Sequence, residues 1–159
     1  MHRFNRLILA STTVLSLLLM LDCALMPQYT RGEEIAMDAL SQLGAPYALG
    51  QAGPEKFDCS GLIRYCFGKL GLDIPHSAEV IGTGSGFRTL MHPLQLMTGD
   101  IVCFDTVNDS DPSDHVGIWL GGNRFVHASS EGKEVMVSEL KGYYLEHFTM
   151  GKRILCPYF

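Results

Sequence analysis

The sequence predicts an α+β domain, with N-terminal helices packed on an antiparallel β-sheet of about five to six strands. Three observations carry that expectation. Up to about residue 70, apolar residues recur at helical spacing. From residue 100 onward they fall in short runs rich in Val, Ile and Phe, separated by Gly, Asn and Asp. The 159 residues are 47% hydrophobic and 18% charged, enough for one packed core and too apolar for a mainly disordered chain. Helices first and strands afterwards is the α+β order, and no repeat or linker divides residues 30–159.

The elements follow in order. Residues 1–26 read as an export signal or as a lipoprotein or membrane anchor. Arg3 and Arg6 form a basic start, and residues 7–21 then run without a charge. Fifteen uncharged residues are short for a membrane span but fit the core of an export signal. Cys23 lies where a lipoprotein is cleaved and acylated, whereas Asp22 suits neither that signal nor an ordinary cleavage site. Cleavage, lipidation at Cys23 and retention as an anchor all remain open, and all three place the domain outside the cytoplasm, in the periplasm or cell envelope.

Thr30-Arg31-Gly32-Glu33 has capping-box spacing, and Ile35, Ala36, Ala39, Leu40 and Leu43 follow on one helical face. Gly44 and Pro46 end that helix. After a loop at 45–57, a second helix is expected over 59–70, with Asp58 as its N-cap and Gly71 at its end. A short third helix is expected at 77–81. Strands are expected at 100–104, 114–120, 124–128, 134–137 and 152–156.

Composition excludes some functions. A net charge of −5 and a pI near 5.6 lack the basic footprint of a nucleic-acid binder. Five cysteines are too few for a disulfide-dense scaffold, and their odd number leaves at least one unpaired within the chain.

Cys59 is the most informative of the five. It falls in the first turn of a predicted helix, where outward-pointing backbone N–H groups favour a thiolate, the nucleophilic form. Cys66, Cys103 and Cys156 lie in apolar helix or strand patterns, the ordinary setting of an inert buried thiol.

A thiolate nucleophile needs a base and a group that orients the base. Two of the six histidines fall on a predicted hairpin, 114–120 and 124–128, joined by Gly121-Gly122-Asn123. A three-residue joint pairs Leu120 with Arg124 and Gly117 with His127. Val116, Ile118, Val126 and Ala128 then share a core face, while His115, Gly117 and His127 share the other. The two imidazoles become diagonal neighbours, roughly 7–8 Å apart at the backbone, close enough for their rings to touch.

Several segments resemble the NlpC-type cell-wall peptidases, a papain-like family of secreted cysteine hydrolases. They are Gly44-Ala45-Pro46-Tyr47, Phe57-Asp58-Cys59-Ser60-Gly61-Leu62, Ile74-Pro75, Gly99-Asp100-Ile101-Val102, His115-Val116-Gly117-Ile118 and Phe125-Val126-His127-Ala128-Ser129. They occur in the family's order and span nearly all of residues 32–155. The resemblance implies a single papain-like peptidase domain over 30–159. It implies Cys59 as nucleophile, His115 as general base and acid, and His127 as the residue that orients His115. It also implies that Tyr47 lines the site, and that Asp58 and Ser60 help bind the amino end of a substrate. That substrate would be a peptidoglycan stem peptide, cut after γ-D-glutamate and before the diamino acid, without a cofactor. The sequence departs from the family pattern at Gln51, His76 and Thr98, where the family often has Gly, Arg and Pro; these positions bear on the substrate groove and not on the three catalytic ones.

Other constellations carry less. Cys59, His115 and His127 lack the short ligand spacing of a zinc site, so no metal is expected. Asp105, Asp109, Asp111 and Asp114 crowd one loop but lack the Gly and closing Glu of a calcium loop. Gly82-Thr83-Gly84-Ser85-Gly86 reads as a flexible loop near the groove, and Tyr143, Tyr144 and Phe148 as packing residues. Two functional alternatives stand beside the hydrolase: a non-catalytic envelope module that binds stem peptides, and an acyl- or amidotransferase on the same scaffold. Membrane contact is expected only through the N-terminal segment.

Overall fold

The computed structural model describes residues 30–107 and 113–155. The expected signal or anchor at 1–26, with Cys23, and the strand end at Cys156 lie outside the described residues.

Helix α1 (Arg31–Leu40) opens on the expected capping box. The Glu33 amide donates to Thr30 Oγ1 at 3.2 Å, and the Thr30 amide donates back to Glu33 Oε2 at 2.7 Å. The helix ends three residues before Leu43, giving way to tight turns that lead to Gly44 at φ +80°. Helix α2 (Cys59–Gly68) starts at Asp58, whose Oδ1 accepts from the Gly61 amide at 2.7 Å. Helix α3 (Ala78–Thr83) is capped by Ser77, whose Oγ accepts from the Val80 amide at 3.2 Å.

The remaining elements are β1 (Phe87–Leu90), β2 (Ile101–Phe104), β3 (His115–Gly121), β4 (Arg124–Ser129), β5 (Glu134–Glu139), a single helical turn α4 (Tyr143–Glu146) and β6 (Phe148–Ile154). The strands form one antiparallel sheet in the order β1-β6-β2-β3-β4-β5. The α+β expectation holds, with six strands.

Two elements differ from the expected ones. β6 begins at Phe148 and not at 152, because Gly151 breaks the apolar pattern in mid-strand. The side chain of Leu96 fills the place a side chain at Gly151 would take. β1 was not foreseen; it is a four-residue edge strand with two exposed positions. The expected loop at 82–86 also begins inside α3, where Gly82 is buried against Ser113.

Both faces of the sheet are covered. On one face, Ile101, Cys103, Val116, Ile118, Val126 and Ala128 meet Ile35 and Ala39 of α1 and Leu62, Ile63, Cys66 and Phe67 of α2. All of these are nearly or fully buried. On the other face, Val102, Phe104, Trp119, Phe125 and Leu140 form a smaller core, closed by Leu96, Tyr144 and Phe148. The period of two along each strand decides this division, and it places the chemistry of β3 and β4 on the second face.

Candidate active site

The hairpin of β3 and β4 sets the geometry. Ile118 pairs with Val126 and Trp119 with Phe125, the register expected for bringing the histidines together. The joint itself differs from the three-residue form. A bulge at Leu120 and Gly121 lets Gly121 pair with Arg124, and a two-residue turn runs through Gly122 and Asn123. Positive φ angles at Gly121 (+82°), Gly122 (+57°) and Asn123 (+63°) allow this tight reversal.

That register places His115 and His127 on the same face, with His115 Nε2 2.7 Å from His127 Nδ1. The rings stand nearly perpendicular, at 84°. On its far side, His127 Nε2 lies 2.9 Å from Ser138 Oγ of β5. His127 is completely buried. Its ring packs against Phe125 at 4.9 Å and Tyr144 at 5.4 Å, while Phe104 lies 6.1 Å from the His115 ring. Gly117 makes the close approach possible, since a Cβ there would stand 2.7 Å from Phe125 Cδ2 and 3.3 Å from His127 Cβ.

Burial keeps both rings neutral near pH 7. It lowers the pKa of His115 to about 4 and that of His127 to about 3, the latter also through the neighbouring His115 charge. Two neutral imidazoles in contact must divide their roles, one donating and the other accepting. Because His115 spends Nε2 on His127, its Nδ1 is the nitrogen left for chemistry.

Cys59 occupies the first position of α2 and is half-buried. The backbone N–H groups of Val116, the residue after His115, of Ser60 and of Cys59 itself favour its ionised form. These donors lower the thiol pKa, but burial, with the Asp58 charge adding to it, outweighs them and pushes it up to about 11. The expectation of a resting thiolate is therefore corrected: the helix N-terminus is present, but desolvation is the larger effect. Cys66 and Cys103, sealed in the core, are pushed higher still, to about 12.

Cys59 opens onto a groove of about 410 Å³ that also meets Tyr47, Asp58, Ser60, His76 and Asp114. The Asp58 carboxylate accepts from four donors: the Gly50 amide (2.6 Å), the Gly61 amide (2.7 Å), Ser60 Oγ (3.2 Å) and His76 Nε2 (2.9 Å). Four donors fill the acceptor capacity of a carboxylate. In the free protein Asp58 therefore acts as a helix cap and an anchor for the 50s loop, and an incoming ammonium group must replace one of the side-chain donors. The Tyr47 phenol is raised by burial and by proximity to Cys59 and Asp58.

Residues 44–154 match the family model described as the NlpC/P60 family. The chain belongs to the NlpC/P60 family. It is 41% identical over 103 residues to a protein of Mycobacterium tuberculosis named "Probable endopeptidase", a match covering 65% of this chain and 25% of the relative. It is 33% identical over 124 residues to the bifunctional muramidase/DL-endopeptidase CwlT of Bacillus subtilis, covering 77% of this chain and 36% of CwlT. The chain thus spans between a quarter and about a third of the length of these relatives. Among solved structures, the NlpC/p60 domain of the peptidoglycan hydrolase SagA superposes with a TM-score of 0.65 at 27% identity, over 77% of this chain and 98% of that one. RipD of Mycobacterium tuberculosis, a non-catalytic NlpC/p60 protein adapted to peptidoglycan binding, shares the fold with a TM-score of 0.65 at 22% identity, over 80% of this chain and 100% of RipD. NlpC/P60 relatives are thus peptidoglycan hydrolases and endopeptidases, with non-catalytic members among them.

Within this NlpC/P60 domain, the expected site residues fall into two groups. Tyr47, Asp58, Cys59 and Ser60 line the groove, while His115 and His127 meet behind it under the aromatic face. Among the described residues no group of three or more His, Cys, Asp or Glu side chains is arranged to hold a metal ion. Of the acidic loop residues, Asp114 is engaged in holding the loop, its carboxylate accepting from Thr106 Oγ1 and the amides of Thr106 and Val107. Sequence reasoning missed Ser138 and the contact of His76 with Asp58. Extending the β4–β5 pairing, with Phe125 opposite Ser138, would have placed Ser138 diagonal to His127.

Proposed function

We propose that this protein is a peptidoglycan hydrolase, a cysteine endopeptidase that cuts stem peptides after γ-D-glutamate and before the diamino acid. The observation that carries the reading is the 2.7 Å contact between His115 Nε2 and His127 Nδ1, in a domain whose groove is lined by Cys59 at the first position of α2. The choice of bond rests on the DL-endopeptidase activity named for CwlT and on a γ-DL-glutamyl hydrolase of Bacillus subtilis that is 35% identical over 124 residues.

The chemistry starts from a neutral thiol and a neutral imidazole. As substrate displaces water from the groove, His115 Nδ1 takes the Cys59 proton and the sulfur attacks the peptide carbonyl carbon. The Cys59 backbone N–H stabilises the oxyanion. The C–N bond breaks as His115 returns the proton to the leaving amine, and a thioester remains. Water adds to the thioester with His115 again as base, and the proton ends on sulfur as the acid product leaves. His127 keeps the His115 ring oriented and accepts its Nε2–H, the role a carboxylate plays in serine triads. The substrate ammonium group binds through Ser60, Asp58 and Tyr47, replacing Ser60 or His76 at the carboxylate. Residues 1–26 carry the domain out of the cytoplasm to the wall, as a cleaved signal, a lipidated segment ending at Cys23, or a retained anchor.

One observation favours the runner-up, a non-catalytic peptide-binding role like that of RipD: the Cys59 thiol is held protonated at rest. Incubation of the full chain with purified muropeptides, read by mass spectrometry beside Cys59→Ala and His115→Ala, separates the two. The hydrolase reading expects fragments ending in γ-D-glutamate from the wild type alone. Fragments released equally by Cys59→Ala, or none released by the wild type, would refute it. A transferase would instead yield fragments joined to an acceptor other than water.

A further inference from the structure

The Asp58 carboxylate is full before any substrate arrives, so the partner that leaves decides what the groove selects. Two of its four donors are backbone amides, Gly61 on Oδ1 (2.7 Å) and Gly50 on Oδ2 (2.6 Å). Neither withdraws without unwinding the start of α2 or moving the 50s loop. Ser60 Oγ donates to Oδ1 at 3.2 Å, but Ser60 is only 6% exposed. A Ser60 that turned away would bury an unpaired hydroxyl.

His76 differs. Its Nε2 reaches both carboxylate oxygens, at 2.9 and 3.0 Å, and among the described residues Asp58 is the ring's one hydrogen-bond partner. The His76 side chain is 23% exposed against 7% for Asp58, and both line the groove, so a ring that swings off the carboxylate meets water. The backbone is pinned on either side, by Ile74 in the core and by Ser77 capping α3, so the exchange needs only a side-chain rotation.

Protonation decides how much that exchange gives up. A neutral His76 loses an ordinary hydrogen bond, whereas an imidazolium loses an ion pair and competes with the incoming ammonium for one carboxylate. The other titratable groups of the groove do not supply this response. Tyr47, from the loop before α2, and Cys59, at the start of α2, have raised pKa values and stay neutral near pH 7. Asp114, just before β3, is bonded to Thr106 and Val107. α3 and its cap bring only Ser77 and Ala78 to the groove, and neither titrates.

We propose that His76 is a specificity-determining residue, a displaceable cover on Asp58 that yields to the free amino end of a substrate when neutral and competes with it when protonated. The proposal rests on the stem-peptide reading for the identity of the ligand, and not on cleavage.

The test therefore measures binding without cleavage. The full chain carrying Cys59→Ala is titrated by calorimetry with the tripeptide L-alanyl-γ-D-glutamyl-L-lysine from about pH 5 to about pH 7.5, and His76 is followed by NMR. In this range His115 and His127, with pKa values of about 4 and about 3, stay neutral. The amino end of the peptide, with a pKa of about 7.7–8.0, stays largely charged. Affinity is expected to rise about tenfold as His76 loses its proton, the ratio between displacing a charged and a neutral donor. By linkage, the peptide is expected to move the His76 titration to lower pH. The N-acetylated tripeptide, which has no ammonium group, shows no such rise. In His76→Gln, which keeps a neutral N–H donor, the rise disappears, whereas a merely structural His76 would weaken binding there and leave the rise in place. A rise that persists in His76→Gln or is shared by the N-acetylated peptide, a flat affinity, an unmoved His76 titration, or no binding at any pH overturns the proposal. Muropeptide cleavage by the wild type is scored separately: its absence refutes the hydrolase reading, and the binding arm still decides the role of His76.

Discussion

The two faces of the sheet do different work with the same strands. The face under α1 and α2 is aliphatic: Ile101, Val116, Ile118 and Val126 meet Ile35, Leu62 and Ile63, and shape and burial alone decide the packing. The opposite face is aromatic, and His115, His127 and Ser138 are set among Phe104, Phe125 and Tyr144. The aliphatic face positions α2, and so Cys59, while the aromatic face buries His127 completely and fixes its angle to the partly buried His115. The lesson is that the candidate site is built at a border: one core positions Cys59 at the start of α2, and the other holds the histidine pair on β3 and β4.

Substitutions that act on one face and not the other sharpen this contrast. The largest effect is expected for Cys59→Ala, which leaves both cores intact and lowers muropeptide cleavage by at least about a thousandfold, with no matching loss in thermal unfolding temperature. Phe125→Ala removes a fully buried ring from the aromatic core and is expected to cost about 3–5 kcal/mol in denaturant unfolding, with His127 loosened at the same time.

Acid acts on the same face. The pKa values of His115 and His127 are lowered from 6.5 to about 4 and about 3, so between those values and 6.5 the unfolded chain binds more protons than the folded one. Stability therefore rises with pH across this window and is lost as pH falls through it, by on the order of 3 kcal/mol for each histidine from pH 6.5 to 4. Melting temperatures measured against pH should show that fall, and a flat profile from pH 7 to 4 would contradict the buried pair.

Gly117→Ala drives a methyl group toward Phe125 and the Val126 carbonyl and is expected to cost about 1–3 kcal/mol, with activity falling because His127 is displaced. The smallest effect is expected for Thr30→Ala, which removes the α1 cap far from both histidines; it should cost about 1 kcal/mol in unfolding and leave cleavage unchanged.

Much of this was legible in the sequence because it is local. Thr30 and Glu33, Asp58 at the start of α2, and the alternation of β3 and β4 each declare themselves within a few residues. The register of His115 with His127 followed from which alternation buries Val116, Ile118, Val126 and Ala128, and it survived even though the turn closes with a bulge. What the sequence hid is non-local or a matter of balance. Gly151 broke the β6 pattern because its partner is Leu96, 55 residues earlier in the chain. The four donors on Asp58 come from residues 50, 60, 61 and 76 and converge only on folding. The protonation state of Cys59 depends on desolvation against three amide donors, a contest that helix position alone does not decide.

The central claim is that the Cys59 sulfur does the chemistry, and titrating the full chain with iodoacetamide tests it most directly. Label at Cys59, read by peptide mapping, is compared at each step with the remaining muropeptide cleavage. The account predicts that activity falls in proportion to Cys59 labelling and reaches zero at one label per site, while Cys66 and Cys103 stay unmodified in the folded core. Full labelling of Cys59 with cleavage intact would contradict it.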